Sequence, residues 1–473
     1  MVTGLTEARS GSREGVLSPP YRRTTTGVVA VVLLVAFESM AVATAMPVAA
    51  RELQGLRLYA WGFTAFMVAG LLATVVAGEW CDRSGPTRPL LSGVAVFTVG
   101  LLAAGSAPDM VAFVVGRAVQ GFGGGMEIVA VYVLIARAYP EGLRPAAFSA
   151  LSAAWVLPAI VGPLVAGVLT EQLSWRWVFW AIAPLAIAPV VALGPVLRRA
   201  HGGVPAPRRS RVGWAVTLAA GVVALQQAAV LVDDGRGWLA GALAAGGSLG
   251  VALAVHRLLP TGTVRLRRGL PSVVALRGAL SGSFFAAEAF IPLMLTSYRG
   301  LSTTAAGLSL TGAALGWATG SWWQSRPGLP ISRERLVVFG AIAVSTGIAV
   351  AALPVFDGPS LAVPPAVTAL GWVVAGTGMG LTFSSLSVLL LSLSPAAEQG
   401  VNAAALQMSD ALGVALGVGA AGVVHSALLT TAGGGLVFSA VFALAWVFSL
   451  GAVAVSTRVA APVRRRSDTS PDR

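Results

Sequence analysis

Five ionisable side chains stand inside long apolar runs of this sequence: Glu38, Arg117, Glu127, Glu288 and Asp410. A charge at bilayer depth costs at least about 2.5 to 3.5 kcal/mol, so each of them points to a cavity or a partner. Burial disfavours an ionised carboxyl and a neighbouring guanidinium favours it. A carboxylate whose water access and partner change between two states can therefore carry a proton. Glu38 and Arg117 are the first candidates for such proton coupling, with Glu127 and Asp410 behind them. Ten residues separate Arg117 from Glu127, about 15 Å along a helix and roughly 80° around it, so both can face one cavity at different depths. A hydrogen-bonded packing role stands as the alternative for Glu127, and a structural role for Asp410.

Glu288 lies in FFAAEAFIP beside Phe284, Phe285 and Phe290. A carboxylate among rings suits a cationic or amphipathic ligand. Glu288, Phe284, Phe285, Trp155 and Gln120 are the expected substrate-cavity residues; for the rings, a lipid-facing position is the alternative. Arg277 and His256, near the ends of apolar runs, read as snorkelling side chains, and His425 as a satisfied histidine at the membrane interface.

Other chemistries are excluded by composition. All 32 basic residues are arginine, so no lysine completes a nucleotide-binding phosphate loop or forms a Schiff base. Cys81, His201, His256 and His425 are too scattered for a zinc or iron-sulfur site, and a lone cysteine closes no internal disulfide. No catalytic cluster stands at one interface, so neither an enzyme nor a metal or organic cofactor is expected.

The elements that must position these residues follow from hydropathy. A chain of 473 residues that is 56% hydrophobic and 11% charged, with 57 glycines, carries more apolar surface than a water-soluble core can hide. A bilayer core about 30 Å thick needs roughly 20 apolar residues per helical span. Fourteen spans are expected, at 27–49, 58–78, 89–107, 110–136, 146–170, 176–197, 212–231, 237–256, 271–297, 303–323, 336–353, 363–392, 401–427 and 434–457. The arginines test this reading. With fourteen spans, 25 arginines fall on the side of the two tails, five on the other (Arg51, Arg57, Arg176, Arg236 and Arg299), and Arg117 and Arg277 within spans. The positive-inside rule then puts both termini in the cytoplasm of a multi-pass protein of the cell membrane. The net charge of +13 is thereby topological, and no nucleic-acid partner is expected. The polar N-terminal stretch is longer than a signal-peptide n-region, and the first apolar run lacks a small-residue cleavage pattern, so that run reads as the first span.

The organisation is six, two, six. An N-terminal tail (1–26) precedes a six-helix bundle (27–197); linkers and two extra helices (198–270) lead to a second six-helix bundle (271–457) and a C-terminal tail (458–473). GEWCDRSGPTRP, after the second span, has a degraded echo in GSWWQSRPGLP after the tenth. Repeated halves of this kind are the sequence trace of transporters whose two bundles rock about a central site. The two extra helices carry no mid-span acid and are expected at the periphery.

Four segments in order then match a family. Gly78, Asp82, Arg83, Gly85 and Arg88 resemble the major facilitator loop motif G-x-L-x-D-R-x-G-R-K, with Trp80 in place of leucine and Pro86 and Thr87 displacing its basic pair. RAVQGFGGG in the fourth span resembles R-x-x-Q-G-x-G through Arg117, Gln120, Gly121 and Gly123. In the fifth, PAIVGPLVAG resembles the antiporter motif G-x-x-x-G-P-x-x-G-G: Gly162, Pro163 and Gly167 match, while Pro158 and Ala166 depart. ESMAVATAMP in the first span is similar to the L-D-x-T-I-V-N-V-A-L-P element of fourteen-span drug/proton antiporters, with Glu38 in the aspartate's place, and SWRWVF resembles that group as well.

The resemblance implies an all-α major facilitator fold, alternating access, and proton-driven export of multidrug, hydrophobic or cationic compounds. Its partners would be the lipid bilayer, a small substrate and protons, with the proton gradient as energy source. Export of one endogenous lipid or natural product is the rival reading, ahead of a membrane protein that does not transport. No residue pattern points to a particular oligomeric state. The glycines and prolines of the fifth span allow close approach and bending, in plain packing or in transport. Asp82 with Arg83 and Arg88 would form a charge lock that opens and closes as the bundles rock, or would supply positive-inside charge alone. Reporter fusions after Arg473 and within 198–211 should be cytoplasmic and one at 233–237 exterior; an exterior C-terminus would defeat the even count.

Overall fold

Lipid offers no hydrogen bonds, so an apolar chain that crosses it must satisfy its backbone internally, and helices do so one segment at a time. The computed structural model describes residues 15–140, 143–197, 211–233, 236–326, 329–356, 364–395, 399–429 and 433–460. Among them every regular element is helical. Residues 1–14 of the N-terminal tail, the linker 198–210 with His201, and the C-terminal tail from 461 lie outside the described residues. Among the described residues, eleven helices are long and apolar enough to cross a membrane, and two shorter apolar ones accompany them.

The chain divides into two compact units, Met1–Gly55 with Ala69–Val212, and Leu56–Val68 with Gly213–Arg473. The first holds α1 (Arg22–Glu52), α2 (Trp61–Ser84) from Ala69 onward, α3 (Thr87–Gly105), α4 (Met110–Ala138), α5 (Arg144–Ala153), α6 (Val156–Gln172), α7 (Trp177–Trp180) and α8 (Ile182–Leu197). The second holds the first turns of α2, then α9 (Val212–Asp233), α10 (Gly237–Leu258), α11 (Leu270–Leu293), α12 (Thr303–Gln324), α13 (Arg333–Ala352), α14 (Ala366–Leu393), α15 (Gln399–Leu429) and α16 (Gly434–Ser456).

Two expected spans are interrupted. The run 146–170 is α5 and α6 with a turn at Ala154–Trp155, and 176–197 is α7 and α8 with a turn at Ala181. Proline is the cause in both. Pro158 and Pro184 lack an N–H, and their rings oppose the carbonyls four residues back, at Ala154 and Trp180. Pro292 acts similarly in α11, which continues as a π-turn over Met294–Tyr298.

The same packing scheme occurs in each unit. In the first, α1 packs on α6 and α8, and α3 on α4 and α8; in the second, α11 packs on α15 and α16, and α13 on α14 and α16. Glycines set these approaches. A Cβ on Gly116 of α4 would lie 2.6 Å from the Ala104 nitrogen of α3, and one on Gly371 of α14 would lie 2.5 Å from the Ala351 nitrogen of α13. With no hydrophobic drive between helices in lipid, this closeness supplies the packing energy.

A polar clamp closes one end of the first unit and gives the SWRWVF segment a structural role. Glu52, at the end of α1, accepts from Trp175 Nε1 at 2.8 Å and from the Arg176 guanidinium at 2.5 Å. Arg176 also donates to the Ala107 carbonyl at 3.1 Å and lies 4.4 Å from the Trp175 ring centroid.

Alanine at Gly116 or Gly371 should therefore destabilise the protein by about 1 to 3 kcal/mol through overpacking. Alanine at Gly451, where a Cβ meets nothing within 4 Å, should be neutral or stabilising, since alanine is the better helix former. Thermal unfolding in detergent checks the ranking.

Candidate functional site

The first unit brings three side chains of α1 and α4 into one buried polar cluster. Arg117 and Gln120 are one turn apart on α4 and so share a face. Arg117 Nη1 donates to Glu38 Oε1 of α1 and, at 2.6 Å, to Gln120 Oε1. Glu38 is 0% and Arg117 3% exposed, so water shields neither charge. The second carboxylate oxygen of Glu38 and the amide nitrogen of Gln120 are buried without a hydrogen-bond partner among the described residues. Removing one partner of such a pair strands the other charge, at a cost of about 3 to 5 kcal/mol.

The glycine-proline helix α6 lies against the turn that carries Glu38. A Cβ on Gly162 would lie 3.2 Å from Met40 Cβ and 3.6 Å from the Phe37 carbonyl. Gly162 thus lets α6 seat beside the acid. Pro158, Pro163 and Gly167 are buried on the same helix. Glu127 is buried further along α4, but its stem packs on Gly93 of α3, 3.1 Å from a Cβ built there, and its Oε1 has no hydrogen-bond partner among the described residues. The structure thus gathers Gln120, read from sequence as a substrate-cavity residue, with Glu38 and Arg117. Trp155, at the turn between α5 and α6, is 38% exposed.

The second unit holds a second ion pair. Arg277 Nε of α11 donates to Asp410 Oδ1 of α15 at 2.9 Å, and Ser281 Oγ donates to the same oxygen. Arg277 also donates to the Phe383 carbonyl at 3.2 Å, and its guanidinium lies 3.0 Å from the centre of the Phe383 ring. Gly278 brings the two helices together, since a Cβ there would lie 2.6 Å from the Ser409 carbonyl oxygen. The snorkelling expected of Arg277 is corrected: its side chain is buried and paired, because Asp410 faces it across this approach.

An aromatic chain continues from that pair. Phe383 meets Trp317 edge-on at 4.7 Å, Trp317 meets Phe284 at 5.8 Å, and Phe284 stacks on Trp372 at 4.6 Å and meets Phe285 edge-on at 5.3 Å. Glu288 is one turn beyond Phe284 on α11. Its Oε2 and Trp372 Nε1 are buried without hydrogen-bond partners among the described residues.

In the loop motif, the expected lock between Asp82 and the arginines is not the pairing found. Arg83 pairs with Glu79, one turn back on α2, at 3.3 Å, and Glu79 also accepts from the Arg211 backbone N–H at 2.9 Å. Asp82 and Arg88 are exposed. Gly85 follows the last turn of α2 at φ 81°, a left-handed conformation that glycine adopts without penalty. A Cβ on Gly78 would meet nothing within 4 Å.

Glu79, Ser281 and the pairing of Arg277 with Asp410 escaped the sequence reading. For the pair, the available signal was two opposite charges in spans that occupy the first and fifth places of the second bundle.

Known proteins agree with this architecture. The model of the Major Facilitator Superfamily matches residues 28–418. An uncharacterized MFS-type transporter of Mycobacterium tuberculosis is 29% identical over 88% of this chain, which spans 61% of that relative's length. A probable multidrug-efflux transporter of the same organism is 28% identical, covering 92% of this chain and 93% of its own. Multidrug resistance protein 3 of Bacillus subtilis is 25% identical over 84% of this chain and 78% of its own. Among solved structures, a peptide transporter POT in complex with sulfate aligns with a TM-score of 0.67 at 17% identity, covering 92% of this chain and 95% of that one. That likeness is one of fold. The family match takes in Glu38 of α1, Arg117 of α4, Arg277 of α11 and Asp410 of α15, and this chain belongs to the Major Facilitator Superfamily.

Proposed function

We propose that this transporter exports hydrophobic or cationic compounds in exchange for protons, by alternating access, across fourteen spans arranged as two six-helix bundles and two inserted helices with both termini cytoplasmic. The observation that carries the reading is the Glu38–Arg117–Gln120 cluster, buried on the face of α4 that meets α1. A proton and the Arg117 guanidinium are alternative partners for one carboxylate. When Glu38 takes the proton, the ion pair loses its attraction and Arg117 retains Gln120 as an acceptor. When the proton leaves, the pair re-forms and draws α1 to α4. Proton occupancy and helix packing are thereby the same variable.

Three things support the export direction and the substrate class. The relatives include proteins named for multidrug efflux and multidrug resistance. Gly162 and Pro163, the matching part of the antiporter motif, lie on the helix that seats against the Glu38 turn. Glu288, with a buried oxygen that lacks a partner among the described residues, stands one turn from the Phe284, Trp317 and Trp372 rings, a carboxylate-and-ring arrangement that suits a cation with apolar bulk. Asp410 and Arg277 form a second acid–guanidinium pair of the same chemistry in the second unit, and Glu127 is a further buried acid.

Glu38→Gln removes the charge and keeps an oxygen for Arg117, so it should fold and bind substrate but lose proton-driven export, while Glu38→Asp should keep part of it. The measurement is uptake of a fluorescent cation into inside-out proteoliposomes under an imposed pH gradient, at matched protein levels. Undiminished gradient-driven transport by Glu38→Gln would overturn the assignment and pass the role to Glu127, Glu288 or Asp410.

A further inference from the structure

The inserted helix α9 holds a buried polar side chain, Gln226, 6% exposed. Its Oε1 accepts from Thr64 Oγ1 at 2.9 Å, and its Nε2 is buried without a partner among the described residues. Thr64 belongs to the Leu56–Val68 segment, which groups with the second unit although the rest of α2 groups with the first. Four more contacts fix that segment. Tyr59, fully buried, donates its hydroxyl to the Ala289 carbonyl of α11 at 2.7 Å. Its ring lies 5.2 Å from Phe290 and 6.3 Å from His425 of α15. Ala60 sits directly on Gly422, and Gln226 on Gly419, one turn away on the same face of α15. A small crevice beside these glycines is lined by Gln226, Ser426 and Arg57.

We propose that Gln226 is a positioning residue for transport: with Tyr59 and Thr64 it latches the first turns of α2 onto α11 and α15, and breaking this latch is a step of the cycle. The inference rests on the alternating-access reading for its role, though not for its existence. The first turns of α2 group with the second unit and the rest of the helix with the first, so on that reading the latch resists any movement that carries the whole of α2 with the first unit.

The contact is built to be released. Thr64 Oγ1 has one hydrogen and two acceptors, Gln226 Oε1 and the Ala60 carbonyl at 3.1 Å. When Gln226 withdraws, the hydrogen passes wholly to Ala60 and no hydroxyl is orphaned. Gln226 meanwhile leaves its Nε2 unsatisfied in the latched state and regains a partner in water on release. A buried donor without a partner costs free energy, which offsets part of what the other contacts supply. The latch is therefore close to balance, as a contact broken in every cycle has to be. Gln226 is polar but uncharged, which is why the sequence assigned α9 a passive place.

The test reads latch opening directly. Ser426→Cys places a thiol in a buried position beside Gln226, while the native Cys81 is fully buried and serves as the background. Labelling by a membrane-impermeant maleimide in intact cells should be slow in Ser426→Cys alone. Adding Gln226→Leu or Thr64→Val should accelerate it on the order of fivefold to tenfold, the loss of about one hydrogen bond. Together they should give no further gain, and Thr64→Ser should restore the slow rate. Acceleration that Thr64→Ser fails to reverse, or equal rates in all variants at normal folded yield, would overturn the latch. Labelling is independent of export, so the latch stands or falls apart from the result at Glu38.

Discussion

A charge in a medium that cannot solvate it needs a partner, and the positions of α1, α4, α11 and α15 follow from that need. Glu38 and Arg117 bind α1 to α4, and Asp410 and Arg277 bind α15 to α11. Removing any one of the four leaves a buried charge at a cost comparable to a large part of a domain's net stability. The pairs therefore hold the structure only while both members stay ionised. On the proposed reading, a proton on either acid changes which helices are held, and an ion gradient acts on packing through these pairs.

Small residues supply the other half of the design. Gly162 seats α6 at the Glu38 turn, Gly278 seats α15 at Arg277, and Gly116 and Gly371 do the same between α4 and α3 and between α14 and α13. At Gly278, Gly116 and Gly371 the backbone approach is closer than a methyl group allows, while at Gly162 a Cβ would press on the Met40 side chain. Such interfaces fit in a few discrete ways, so on the proposed reading a change of charge at Glu38 is answered by a shift of a whole helix. The prolines serve the same end. Pro158 and Pro184 divide the fifth and sixth spans at the carbonyls they cannot bond, where a helix bends at least expense.

Hydropathy carried most of the helical architecture, because apolar length is a one-dimensional property. Glu38, Arg117 and their partnership were legible for the same reason: few charges survive in spans, and two of opposite sign invite pairing. What escaped depends on rotation about helix axes, which glycine-rich spans leave undetermined, since nearly every face is apolar. Arg277 was read by its depth alone and placed at the interface, whereas the Gly278 approach turns it toward Asp410. Gln120 was assigned to the substrate by its motif and is held by Arg117. The breaks at Ala154 and Ala181 were present in the sequence as Pro158 and Pro184, but a run of uniform hydropathy masks a turn of two residues.

The central claim is that a proton and Arg117 compete for Glu38. Proton release on substrate addition, followed with a pH indicator in weakly buffered detergent, measures this most directly. The wild-type protein should release on the order of one proton per bound substrate, as expected for one titrating carboxyl. Glu38→Gln should bind the same substrate and release none. Release undiminished in Glu38→Gln would show that the exchanged proton resides elsewhere, and that the buried pair serves packing alone.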